Sequence, residues 1–148
     1  KILRVPGSNV GIKTTEGKAA YVEAANFLKN DAVAVSAFEP CDGLTKVAQD
    51  FLDQVVNTDP SKISDIDMDE IIAKHGEFTG NFSRSMEFGA NSSEQVVVNL
   101  VVCDGDKTRG QRESLLNGNL KRVGVATGKH GTYRTCTVIV SCTKWTDK

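Results

Sequence analysis

Residues 91–143 constrain the fold more than any other stretch, because three different signals follow one another there without a break. An apolar run over 96–102 opens behind Ser92, with Gln95 three residues on, the spacing of a capping box at a helix start. The valines alone favour a strand. Val96, Val97, Leu100 and Val101 also share one helical face, and the cap decides for a helix over 92–103. A polar loop punctuated by glycine, 104–110, follows and flows into Arg112-Glu113-Ser114-Leu115-Leu116. Two strand-like runs close the stretch, with Gly128-Lys129-His130-Gly131-Thr132 between them, a hairpin connection by its length and glycines. Helix, loop and hairpin in that order make an α+β chain rather than a βαβ one.

Upstream, the most regular pattern is Leu44, Val47, Ala48, Phe51, Leu52 and Val55, an amphipathic stripe that predicts a core helix over 42–57. Asp42 can cap it, and Asp59-Pro60-Ser61 stops it. Tyr21, Ala24, Ala25 and Leu28 predict a first helix over 17–30, behind an N-terminal arm of residues 1–16 that carries Pro6-Gly7-Ser8 and no sustained period. Residues 33–38 are short and apolar, and Pro40 closes them. Asp65, Asp67, Asp69 and Glu70 resemble the opening of a calcium loop. Glu70 stands where that loop needs glycine and Gly76 where it needs glutamate, so the acids read as the start of a short helix over 67–74. Strands are predicted over 78–88, 121–127 and 133–142.

A chain of 148 residues is one domain of ordinary size. Its net charge of −1 argues against nucleic acid or an anionic membrane as the main partner. No apolar run approaches the ~20 residues of a membrane span. The chain starts at Lys1, which fits either removal of a signal peptide or a trimmed terminus.

Several segments together resemble the CAP domain family, which comprises the cysteine-rich secretory proteins, insect antigen five proteins and plant pathogenesis-related proteins, in its shorter bacterial and protist form. They are Lys74-His75-Gly76, Ser85-Met86-Glu87-Phe88-Gly89, the D-G-x-x-x-R-G-x-R-x-x-L-L run over 104–116, the V-G-V-A-T-G-x-H strand over 123–130 and the T-V-I-V strand over 137–140. The resemblance spans roughly residues 18–143. It implies an α-β-α sandwich with a small, mainly antiparallel central sheet, a central cleft and a secreted location. The family's cleft carries a glutamate and a histidine whose positions align here with Arg84 and Gln111, and a further family histidine has no counterpart over 57–74. The resemblance therefore implies a cleft lined by Arg84, Arg109, Gln111 and Arg112 that has lost its His/Glu constellation.

Neither arginine nor glutamine serves as a general base near neutral pH, so no catalytic residue, metal ligand or cofactor is expected. The guanidinium groups of Arg84, Arg109 and Arg112 admit two roles. They can form internal ion pairs, with Glu113 or Glu87 for instance, or they can capture an anionic ligand. His130, in the hairpin connection, reads as a surface or turn-bracing residue rather than a catalytic one.

Cys41, Cys103, Cys136 and Cys142 show no C-x-x-C spacing, so they are either buried thiols or two disulfides. Asn81-Phe82-Ser83 and Asn91-Ser92-Ser93 are glycosylation sequons and, with the resemblance, favour secretion and disulfides. Cys136 and Cys142 lie about 20 Å apart along one strand and cannot pair with each other. With the family's placement of the second helix, the expected pairs are Cys41–Cys136 and Cys103–Cys142. Three function classes remain: a secreted non-catalytic binding or structural module, a lipid or sterol carrier, and a hydrolase with a rebuilt cleft. The module leads, with an unidentified protein or small ligand, lipid or anion included, as its partner.

Overall fold

The helix predicted by the cleanest stripe is the one on which the core is built. In the computed structural model, which describes residues 1–4 and 11–148, helix α2 spans Asp42–Val56 and buries all six of its stripe residues. They pack on Ala126, Cys136, Val138, Val140 and Cys142 of a C-terminal hairpin formed by β5 (Arg122–His130) and β6 (Arg134–Asp147). Helix α3, Met68–His75, adds Ile71 and Ile72 to the same core. Gly124 lets α2 approach so closely: a Cβ there would lie 2.1 Å from the Leu44 carbonyl carbon.

The main sheet has the order β3-β5-β6-β4, with β3 at Glu39–Pro40 and β4 at Gly76–Phe88. Its long pairings are antiparallel; only the two-residue β3 runs parallel, beside Arg122 and Val123. The chain is thus α+β, as its order of elements predicts, with a small, mainly antiparallel sheet. Helix α1, Lys18–Asn30, and helix α4, Ser93–Val102, pack on each other through Ala20, Ala24 and Val102. Ser92 caps α4 by accepting from the Gln95 N–H, while the Gln95 side chain turns instead to Asn99. Likewise Asp67 caps α3 by accepting from the Glu70 N–H, which gives the acidic run its structural role.

Four features go beyond the sequence reading. The N-terminal arm is not merely extended: β1 (Ile2–Arg4) pairs antiparallel with β2 (Gly11–Lys13). The Pro6-Gly7-Ser8 segment lies outside the described residues. A 3-10 turn, Pro60–Asp65, follows α2, and the run after the glycine loop forms a short helix α5, Gly110–Leu115. Strand β6 also runs five residues past its predicted end, pairing through Trp145 and Asp147 with Phe78 and Gly76.

The expected disulfides are not present; all four cysteines are free thiols. Cys142 opposes Arg122 and Cys136 opposes Gly128, so their order along the hairpin is as expected. Cys41 is not at the Cys136 end. Its N–H donates to the Val123 carbonyl, because β3 docks the start of α2 on the first residues of β5. Nor does that placement give a bond to Cys142. Both lie in the α2 core, where burial, helped by nearby Cys41, holds the Cys142 thiol up, and both are free. Cys103 lines the cleft on one face of the sheet, while Cys142 is buried under α2 on the other.

Candidate functional site

The register of β4 decides which side chains share a face. Arg84, Met86 and Phe88 pair with Val140, Val138 and Cys136, whose side chains form the α2 core, whereas Ser83, Ser85 and Glu87 point the opposite way. Arg84 therefore leaves the cleft altogether. Its guanidinium lies 4.8 Å from the centre of the Phe51 ring on α2, covering that buried ring with an exposed side chain. The carboxylate on the cleft face of β4 is Glu87, three residues on from the position that the family pattern implied.

Arg109 and Arg112 are also turned away from the cleft, into the ion-pair role. Arg109 takes a left-handed conformation, φ 55°, ahead of α5, and its guanidinium donates to Glu16 and to the carbonyls of Cys103 and Asp106. Glu16 also accepts from Lys107 and from the Gly105 N–H. These three donors hold its carboxyl far below the usual glutamate range. Arg112, 3% exposed, donates through Nε to the Val101 carbonyl and through its two terminal nitrogens to both oxygens of Glu23. Its face stacks 4.7 Å from the Phe27 ring centre, and Glu23 is held below its usual range by its bonds to Arg112. The acids are thus Glu16 and Glu23, at the start of α1 and within it, and not Glu113 or Glu87. The two arginines fasten the glycine loop and α5 to α1. Asp104 strengthens the clasp by accepting from the Thr15 and Glu16 N–H groups.

Gln111 is the one expected cleft residue that lines the cleft. Its Oε1 accepts from the Met86 N–H at 3.1 Å, so α5 lies along the free edge of β4. The Ser83 and Ser114 hydroxyls meet at 2.8 Å beside it. The cleft, about 840 Å³, is enclosed by β2, α4, the end of β4 and the turn before β6. Glu87 forms part of its wall and is 6% exposed. Oε1 of Glu87 accepts from Asn99 Nδ2 at 2.7 Å, and Asn99 Oδ1 accepts from Gln95 Nε2 at 2.7 Å. Asn99 and Gln95 stand one helical turn apart on α4, so the helix period itself lines up the relay. Oε2 of Glu87 is shielded from solvent and has no hydrogen-bond partner among the described residues. Sequence reasoning named Glu87 only as an acid for the arginines. The signal that could have found its place was the alternation Ser83, Ser85, Glu87 against Phe82, Met86, Phe88.

His130 braces the turn: its Nδ1 accepts from the N–H groups of Thr132 and Tyr133, both at 3.2 Å. Tyr133 stacks on it and Phe88 meets it edge-on. Burial pushes the Cys136 and Cys142 thiols up to about 11, so both stay protonated at neutral pH. Asn81 and Asn91 are both exposed, Asn81 beside a bulge in β4 and Asn91 at the mouth of the cleft.

These features define an α+β protein with a cleft of mixed polar and apolar lining, amide-bearing on one wall, beside a separate arginine clasp. No family model matches the chain, and no curated protein does. Among solved structures it is similar to an outer surface protein from Borrelia burgdorferi, with a TM-score of 0.57 and 19% sequence identity over 93% of this chain and 97% of that one. At that identity the likeness is one of fold.

Proposed function

We propose that this chain is a non-catalytic, CAP-like binding module that works outside the cell and holds a small ligand in the cleft between α4, α5 and β4. One observation carries the reading: a single buried carboxylate, Glu87, faces the cleft among the amides of Gln95, Asn99 and Gln111. Amides position and hydrogen-bond a ligand, but they do not titrate, so this set favours recognition over proton transfer. Gln111 occupies the position where the resemblance would put a histidine, and its oxygen is committed to the Met86 N–H. A cleft of this size suits a small molecule.

A sterol or acyl chain suits it less well, because seating an apolar surface over an unpaired carboxylate adds desolvation cost without a compensating bond. Work outside the cell is supported by the exposed sequons at Asn81 and Asn91, and by the fold shared with an outer surface protein.

Native mass spectrometry of protein isolated from its source under non-denaturing conditions tests the reading. A non-covalent adduct that is released on mild activation, and is missing from an Asn99→Trp variant with a filled cleft, is the expected result. An adduct-free protein that turns over a substrate would overturn it.

A further inference from the structure

We propose that the cleft is specific for a small primary amine in its ammonium form, with Glu87 Oε2 accepting from the ammonium N–H. The proposal rests on the cleft being the binding site and names what it binds. A buried carboxylate oxygen without a partner is costly, and native structures leave few of them. Glu87 is 6% exposed, its Oε1 is bonded to Asn99, and its Oε2 has neither a partner among the described residues nor solvent.

The missing partner has to be a donor, and the neighbouring side chains do not supply it. No donor among the described residues lies within hydrogen-bond distance of Oε2: Asn99 Nδ2 goes to Oε1, Gln95 Nε2 goes to the Asn99 oxygen, and the Gln111 amide is held by its oxygen at the Met86 N–H. One free acceptor with a negative charge is a poor set for a metal ion, which needs several such oxygens. It suits one positively charged N–H group, for which a charge-assisted bond is about twice as strong as a neutral one. Tyr133 lines the same cleft and offers an aromatic face to the cation or its alkyl chain. Lys13, Arg134 and a second carboxylate, Asp104, stand on the wall as well, so the wall carries no surplus of negative charge for a second ammonium and a monoamine fits better than a diamine. Since Oε2 is closed off in this state, entry needs a side-chain rotation, for which half-buried Gln95 and Gln111 are the movable members.

The experiment is an NMR titration of the ¹⁵N-labelled protein with n-butylammonium chloride and, separately, with 1-butanol, a neutral analogue of nearly the same size. Saturable shifts of the Asn99 and Gln95 side-chain amides with n-butylammonium, at an affinity at least tenfold above that for butanol, are expected. Glu87→Gln, which keeps the shape and an acceptor for Asn99, should lose that preference. Equal affinity of the wild-type protein for both probes would overturn the proposal while leaving the cleft a binding site. An absence of saturable shifts with either probe would overturn it too, and the mass-spectrometric adduct would then decide the broader reading independently. The butanol comparison is made on the wild-type protein, so the test stands even if Glu87→Gln does not fold.

Discussion

Replacing Gly124 with alanine tests the closest contact in the core. A Cβ at this position would sit 2.1 Å from the Leu44 carbonyl carbon, 2.2 Å from its oxygen and 2.4 Å from the Thr45 nitrogen. These are backbone atoms, so no side chain can swing aside. Helix α2 has to retreat by roughly 1 Å or more to restore ordinary contact, and a gap of that size forfeits about a quarter to a half of each dispersion contact it opens. Leu44, Val47 and Ala48 are fully buried in this first half of α2. Overpacking of this kind costs about 1–3 kcal/mol, and a clash with rigid backbone belongs at the upper end. For a chain of this length about 3 kcal/mol lowers Tm by roughly 6–12 °C. Thermal unfolding followed by circular dichroism measures it against two internal controls. In Gly128→Ala the new Cβ meets only the tip of Leu52, at 3.2 Å, and in Gly131→Ala it meets nothing within 4 Å. The expected order of damage is Gly124, then Gly128, then Gly131. A Gly124→Ala protein that melts within about 2 °C of wild type would refute the packing argument.

Arg112→Met removes the bond to the Val101 carbonyl and both bonds to Glu23, and should destabilise by about 2–3 kcal/mol in urea denaturation, since Glu23 is half-exposed and partly rehydrates. Arg112→Lys should recover little of that, because one ammonium cannot span both oxygens and the carbonyl. The Glu16 clasp gives a pH signature with a definite sign. Its folded-state pKa is depressed, so its contribution is complete above the unfolded value of about 4.3 and is lost as pH falls toward the lower folded value. The gap in urea midpoint between wild type and Glu16→Gln should therefore be widest near pH ~7 and close steadily below pH ~4; a gap that stays constant down to about pH 2.5 contradicts the clasp. For the thiols, iodoacetamide at about pH 8 should modify partly exposed Cys41 alone in the native protein and all four cysteines in urea. Failure of any pair to react in urea without reductant would reveal a disulfide.

What the sequence made legible was whatever local periodicity encodes. The six-residue stripe of α2 and the Ser92 cap of α4 rest on neighbours a few positions apart and stand where their patterns put them. The hairpin forms with its turn moved to 131–133, because β5 stays paired through Gly128, Lys129 and His130. The site was harder to read because it depends on two facts of longer range. One is strand phase: placing the cleft carboxylate at Arg84 rather than Glu87 is an odd-numbered slip in β4, and an odd slip exchanges the two faces of a sheet. The other is partner choice across the chain. Arg109 and Arg112 find Glu16 and Glu23 some ninety positions away, a pairing set by how α1 docks on α4. Disulfide assignment failed for a related reason: it required the position of Cys41 relative to the hairpin, which the two-residue β3 fixes. Helix α5 is only six residues long, too short for its period to stand out from the loop before it.

The most direct measurement of the central claim is a crystal structure of the protein soaked with n-butylammonium. The account predicts the ammonium nitrogen within hydrogen-bond reach of Glu87 Oε2, its chain along the cleft toward Tyr133, and the Arg109–Glu16 and Arg112–Glu23 pairs unchanged. Density for the amine at Glu16 or Glu23 with the Glu87 wall empty would contradict it.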